Sequence, residues 1–367
     1  MAAVSNSVVH LTMRHEKIVL SYGTGVIYQN GSEFYIVTAW HNLSGRHSES
    51  LSTLSDTLAI PNNVIVNLAI ETPGYLINRI PIIIPLIDDD KSLFFIHPEN
   101  WPRVDVAVIP FNPQSSFRSE MYLSTGECRE QMISPIMQVH GIGNTELCPV
   151  QKYLVPNSDV IEKWFQSVEV TEELFIPGYP HNLQDYYAQP VWKRATIASS
   201  VQVGWNREPK FLIDSASKSG MSGAPVLYYC PNGSVEIRGT KYTFERDVAI
   251  LAGIYVGRIG VKGELDPQIG TVWNNSVIDE IIKAKCNEKL PFEIELNSDE
   301  LIANMQSVLS SYSSEGLKKI MNPELPFRYH ARYELLKKIN GRASLDNALE
   351  AVLEAASCYE GSLVESE

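Results

Sequence analysis

The stretch D-S-A-S-K-S-G-M-S-G-A-P-V-L-Y-Y, Asp214 to Tyr229, crowds small residues around one serine and then runs directly into an apolar segment. Gly220, Ser222, Gly223 and Ala224 leave the backbone almost bare. Glycine admits tight conformations and the close approach of another backbone. Two readings follow. In one, the stretch is a Gly-Ser turn leading into a buried strand, Ala224 to Tyr229. In the other, Ser222 is a nucleophile and the bare backbone around it holds an anion. A hydroxyl is a poor nucleophile near neutral pH. It needs a base to take its proton, a group to orient that base, and donors for the oxyanion. The question is whether the chain supplies a histidine and a carboxylate in suitable places.

The surroundings are β-rich. Over roughly the first 270 residues, short runs of β-branched and aromatic residues recur between Gly, Asn, Asp and Pro. Examples are GTGVIYQNGSEFYIVTAW, VIVNLAI, VDVAVIPF, VWKRATIASSVQVGW, APVLYYC and VAILAGIYVG. Within the first, Asn30-Gly31 predicts a hairpin with a type I′ turn. GTKYTFER predicts a strand of a further hairpin. Many short strands without alternating helices point to antiparallel barrels or a sandwich.

The pattern changes near Asn275. Val277, Ile278, Ile281 and Ile282 share one helical face, with Ser276 as a cap. Further on, Ser298 and Ser344 cap apolar-faced helices, and Tyr329 to Ile339 forms another. About four helices in some 70 residues suggest a small bundle.

A histidine closes the first hairpin in FYIVTAWH, where His41 directly follows the strand. A carboxylate stands in WPRVDVAVIPF, where Asp105 begins an apolar strand. An ionised group there is costly unless paired, and a histidine would meet the need. Taken singly, His41 reads equally as a surface or capping residue, and Asp105 as a strand-start carboxylate bonded to nearby amides.

The order His41, Asp105, Ser222 is that of the chymotrypsin arrangement. The sequence here resembles the trypsin-like serine peptidases, in the disulfide-free bacterial branch. GTGVIY, TAWH, DVAVIP, GMSGAPV and LAGIYVG carry the resemblance, and PGYP (Pro177 to Pro180) resembles the Gly-Tyr-Pro segment of the family's second barrel. It spans about Val8 to Lys285. It implies a mainly β fold of two antiparallel six-stranded barrels, residues 1–125 with His41 and Asp105 and residues 126–287 with Ser222, followed by a helical extension, 288–367. It implies that Ser222 attacks the carbonyl, His41 shuttles the proton and Asp105 holds the imidazole, with the Gly220 and Ser222 amides as oxyanion hole. The implied pocket for the residue before the scissile bond is lined by Ala216, Ser217, Ser219, Tyr255, Val256 and Gly257, with Ile254 to Gly257 as an edge strand for substrate backbone. Only with a shifted alignment would Asp214, Glu264 or Asp266 supply an acid there. Ala216 does not support a trypsin-like preference for Lys or Arg, and a small or apolar preference is expected instead.

The chain departs from the family at two places. Met221 stands where secreted relatives carry an aspartate, so activation by an inserted N-terminus is not expected. Trp40 replaces a small residue beside His41, either packing under the imidazole or narrowing the cleft.

Composition bounds the rest. The 367 residues are 44% hydrophobic and 20% charged, ordinary for a globular protein. The net charge of −13 argues against nucleic acid as partner. No apolar run approaches the length of about 18 residues that a membrane helix needs. The N-terminus lacks a basic segment followed by an apolar core, so no secretory signal is expected. The five cysteines are scattered and odd in number, and read as reduced thiols in a cytoplasmic protein, with Cys128 and Cys148 the one conceivable pair. No metal or cofactor is implied. The partners expected are a peptide or protein substrate and an activator acting through 288–367. Trypsin-like domains joined to small helical ones resemble effectors of bacterial antiviral defence and signalling, an analogy of architecture. The alternative from another class is a catalytically silent peptidase fold used for binding.

Overall fold

The computed structural model describes residues 2–48, 54, 59–72, 78–89, 91–98, 104–122, 128–139, 143–206, 208–259 and 268–289. The helices expected beyond Leu290 lie outside them. Met1–Gly45, Ser55–Pro98 and Asp105–Glu288 form one compact unit. Arg46–Leu54, Glu99–Val104 and Lys289–Glu367 form the other.

The second half of the first unit contains a closed six-stranded barrel. Its strands run in the order Glu173–Gly178, Val191–Ile197, Lys210–Asp214, Ile269–Asn274, Val248–Arg258 and Pro225–Cys230, the last pairing back to the first. Alternate residues point inward, as the strand period requires. Leu174 and Ile176, Ala195 and Ile197, Phe211 and Ile213, and Ile250 and Ala252 meet in one buried cluster.

The N-terminal strands lie instead on an open path. It runs Cys128–Ile133, Phe117–Tyr122, Asn78–Pro85, Asn63–Glu71, Val8–His15, Ile18–Asn30, Glu33–Thr38, Ala107–Phe111, Lys91–Ile96 and Cys286–Lys289. Two barrels were expected, and closure is found in one. Among the described residues, Asn78–Pro85 pairs along its length with Asn63–Glu71 and joins Phe117–Tyr122 through the Ile83–Arg118 rung. The hairpin after Ile18–Asn30 forms as expected, but Asn30 pairs with Glu33, so the turn residues are Gly31 and Ser32 rather than Asn30 and Gly31. The GTKYTFER segment pairs Thr240–Thr243 with Ser234–Ile237 in a separate hairpin.

Helix Ser276–Ala284 buries the four predicted residues, Val277, Ile278, Ile281 and Ile282. Ser276 is its first residue rather than its cap, and the Ser276 amide donates to the Asn274 side chain at 3.2 Å. The chain then returns to the N-terminal sheet as Cys286–Lys289. A helix the composition concealed, Ser158–Ser167, starts where the Asn157 side chain accepts from the Asp159 and Val160 amides. It buries Val160 and Trp164 against the barrel core. Cys128, Cys148, Cys230 and Cys286 are all free thiols, so the conceivable pair does not form. No helix among the described residues is long and apolar enough to cross a membrane.

Candidate active site

The histidine side of the site follows from one strand pairing. Thr38, at the end of Glu33–Thr38, pairs with Ala107, at the start of Ala107–Phe111. The chain beyond Thr38 turns into the short helix Trp40–Ser44, and the chain before Ala107 bends at Asp105. His41 and Asp105 therefore face each other just past the last rung. His41 sits in a helical turn rather than directly after the strand, and Asp105 lies two residues before its strand rather than at its first position. The displacement serves the carboxylate. Asp105 Oδ2 lies 2.8 Å and Oδ1 3.1 Å from His41 Nδ1, and Oδ1 also accepts the His41 amide at 3.0 Å. Its main-chain carbonyl accepts the Trp40 amide at 3.3 Å. The bonds from the His41 amide and Nδ1 satisfy a carboxylate whose side chain is only 8% exposed.

Burial of His41 opposes its protonation, but the charge of Asp105 and the bond to it outweigh that, leaving the imidazole pKa above its ordinary value. With Nδ1–H donating to the carboxylate, Nε2 is left as the free lone pair of the neutral ring.

Trp40 is fully buried, and its indole Nε1 donates to the buried carboxylate of Glu288 at 2.7 Å. The Glu288 amide is in turn bonded to Ser92 Oγ at 2.8 Å.

The serine side is held through backbone. The Ser222 carbonyl accepts the Thr24 amide and Asn42 Nδ2, both at 2.9 Å. Asn42 follows His41 in the chain and also bonds Thr38 Oγ1 at 3.0 Å, while Thr38 Oγ1 donates to the Thr24 carbonyl at 2.7 Å. Gly223 lies inside this knot. Its φ is +89°, and a Cβ there would sit 2.0 Å from the Thr24 carbonyl oxygen and 2.1 Å from Thr38 Oγ1. The Ser222 hydroxyl lies 3.4 Å from the Val256 carbonyl, and no Ser222–His41 hydrogen bond is present. Rotation about one single bond separates the hydroxyl from other staggered positions, and catalytic bonds are often long before substrate binds.

Gly220 has φ +92°, and a Cβ there would lie 2.4 Å from the Tyr179 carbonyl oxygen. Thr24 Oγ1 donates to the Gly220 carbonyl at 2.8 Å and accepts the Tyr179 amide at 3.1 Å. The His181 amide donates to the Ser219 carbonyl at 2.7 Å. In a trans peptide the C=O and the following N–H point opposite ways. Drawing the Ser219 carbonyl to His181 therefore turns the Gly220 N–H away from it. Among the described residues, neither the Gly220 nor the Ser222 amide donates to a backbone carbonyl. Two unused N–H groups beside a serine hydroxyl are what an oxyanion requires. Met221 is buried in the barrel core.

Of the pocket residues, Ala216 and Ser219 are exposed, Gly257 is half-buried, and Ser217, Tyr255 and Val256 are buried. The Ser217 and Tyr255 hydroxyls hydrogen-bond to each other. The expected edge strand is shorter than Ile254 to Gly257. Ile254 pairs with both Pro225 and Trp273, and Tyr255 bonds Gly223 and Ala224 as well as pairing with Val272. The Ser222 side is open only from Val256, where a bulge interrupts the other ladder. Asp214 is an exposed strand end, and Glu264 and Asp266 lie outside the described residues.

No protein-family model and no curated protein matches this sequence. Similar solved structures include the Rv3671c protease of M. tuberculosis. Its inactive form is 15% identical over 77% of this chain and 90% of that one, TM-score 0.34. Its active form is 13% identical over 77% and 82%, also 0.34. The serine endoprotease of Yersinia pestis is 14% identical over 77% of this chain and 65% of that one, TM-score 0.37.

Proposed function

We propose that the chain is a trypsin-like serine endopeptidase of chymotrypsin-type fold. Ser222 Oγ attacks the scissile carbonyl as His41 Nε2 takes its proton. The Gly220 and Ser222 amides receive the oxyanion, and His41 passes the proton to the leaving amine. Water then repeats the sequence on the acyl-enzyme, releasing the acid and restoring Ser222. Asp105 keeps Nδ1 protonated and offsets the imidazolium charge. The observation that carries this reading is the His41–Asp105 pair, coupled through Asn42 to the Ser222 carbonyl.

The test is cleavage of a peptide library derived from denatured protein, read by mass spectrometry. New termini made by the wild type and absent with Ser222→Ala support the reading. Equal background from both proteins contradicts it. A silent, binding-only fold draws support from the Ser222 hydroxyl facing Val256 rather than His41, and the same experiment decides between the two. For 290–367 the proposal is recruitment of an activating partner inside the cell, in a defence or signalling role. Truncation after Lys289 tests it, because Cys286–Lys289 belongs to the N-terminal sheet. Unchanged partner capture by the truncated chain would remove that role.

A further inference from the structure

The ladder between Ile18–Asn30 and Glu33–Thr38 ends at the Gly25–Thr38 rung, and Thr24 stands just past it. With no rung left on that side, its amide donates to the Ser222 carbonyl at 2.9 Å and its carbonyl accepts Thr38 Oγ1 at 2.7 Å. The Thr24 side chain is fully buried, and its hydroxyl works twice. It donates to the Gly220 carbonyl at 2.8 Å and accepts the Tyr179 amide at 3.1 Å. A hydroxyl has one proton to give, and here it goes to Gly220. One carbonyl further back, Ser219 accepts the His181 amide at 2.7 Å. The two peptide planes that meet at Gly220 are therefore each held by their carbonyl, and the direction of the Gly220 N–H is set between them. Such holding is needed, because glycine left to itself has many conformations open to it.

We infer that Thr24 is a positioning residue that keeps the nucleophile and the oxyanion loop in one register, its amide fixing the Ser222 main chain and its hydroxyl fixing Gly220. The inference rests on the peptidase reading of Ser222, with the Gly220 and Ser222 amides as oxyanion donors. Thr24 acts through these neighbours. Its main-chain bonds survive a substitution that keeps the strand, but its hydroxyl bonds do not. Valine has nearly the same shape and no hydroxyl, so it leaves the Gly220 carbonyl and the Tyr179 amide without their partner. Serine keeps the hydroxyl. The Thr24 hydroxyl bonds neither His41 nor Asp105, so its loss weakens oxyanion binding and spares the base.

The experiment uses the full chain and p-nitrophenyl acetate, a small ester that needs no specificity pocket, with Ser222→Ala as background. Ser222 Oγ bonds to the acetyl carbon, its proton passes through His41 to water, and p-nitrophenolate leaves. The acetyl adduct on Ser222 is read by mass spectrometry. Thr24→Val should slow acetylation about 10- to 100-fold, short of the roughly 100- to 1,000-fold that outright removal of an oxyanion donor costs. Thr24→Ser should recover most of the wild-type rate. The acid limb of the pH profile should keep one midpoint in all three proteins, because the His41–Asp105 pair is unchanged. Urea unfolding of each protein separates these rates from stability. A folded Thr24→Val that reacts at the wild-type rate, a Thr24→Ser as slow as Thr24→Val, or an acid limb that moves with the rate overturns the Thr24 inference and leaves the peptidase reading standing. A wild type no faster than Ser222→Ala removes both. If Thr24→Val fails to fold, Thr24→Cys takes its place, since a thiol is only a weak donor, and it must react more slowly than Thr24→Ser.

Discussion

On one side of the site, His41 and Asp105 meet through side chains, at 2.8 and 3.1 Å. On the other, Ser222 is positioned by main chain, with its carbonyl held by Thr24 and Asn42 and its neighbours Gly220 and Gly223 at positive φ. The histidine side depends on charge, so a substitution can preserve its shape and still remove its chemistry. The serine side depends on the absence of side chains, so adding one methyl group deforms it. Chemistry and shape should therefore fail separately when the two sides are altered.

The largest separation is expected from Asp105→Asn. The fold should survive, because the amide can keep one bond to the His41 region, but the imidazole tautomer is no longer imposed. Reactivity of Ser222 should fall on the order of 1,000- to 10,000-fold with little change in Tm. Gly223→Ala should do the reverse. Its methyl group would lie 2.0 Å from the Thr24 carbonyl oxygen, and we expect a loss of about 3 kcal/mol or more in denaturant unfolding. Gly220→Ala falls between them. Displacement of the oxyanion loop from Tyr179 should slow Ser222 acylation about 100-fold, the cost of one lost oxyanion donor. Glu288→Ala strands the buried Trp40 indole N–H and should cost about 1–3 kcal/mol. A drop in reactivity beyond that loss of stability would show that Glu288 also steadies the turn carrying His41.

The smallest effect is on pH. In the proposed role of base His41 must be neutral, and its pKa is raised. The rate should rise with pH through an apparent value above that of an ordinary histidine, and the rising limb should move to lower pH in Asp105→Asn. The linked stability has the opposite sense. A raised histidine pKa stabilises the fold fully below the unfolded value of about 6.5, and this contribution is lost as pH rises through the folded value. An acid limb unmoved by Asp105→Asn would contradict the pairing.

The elements legible in the sequence are those whose signal is local. The strand runs and the Ser276–Ala284 helix rest on neighbouring residues. What escaped depends on distant ones. Asn42 looks like any residue after His41, and only the fold brings it to Ser222, 180 positions on. The Trp40–Glu288 bond spans 248 positions, and Cys286–Lys289, which straddles the expected boundary at 287/288, joins the N-terminal sheet only through the fold. Helix Ser158–Ser167 was legible in principle: Asn157 precedes Val160 and Trp164 at helical spacing, but the β-rich surroundings masked it. Closure of a barrel is likewise a property of the two ends of a strand path, which no single strand reports.

Covalent labelling by a fluorophosphonate, with the modified peptide mapped by mass spectrometry, tests the central claim most directly. We expect one adduct on Ser222, lost in Ser222→Ala and strongly slowed in His41→Ala. A folded wild type that stays unlabelled, or an adduct on another serine with Ser222 unmodified, would contradict the account.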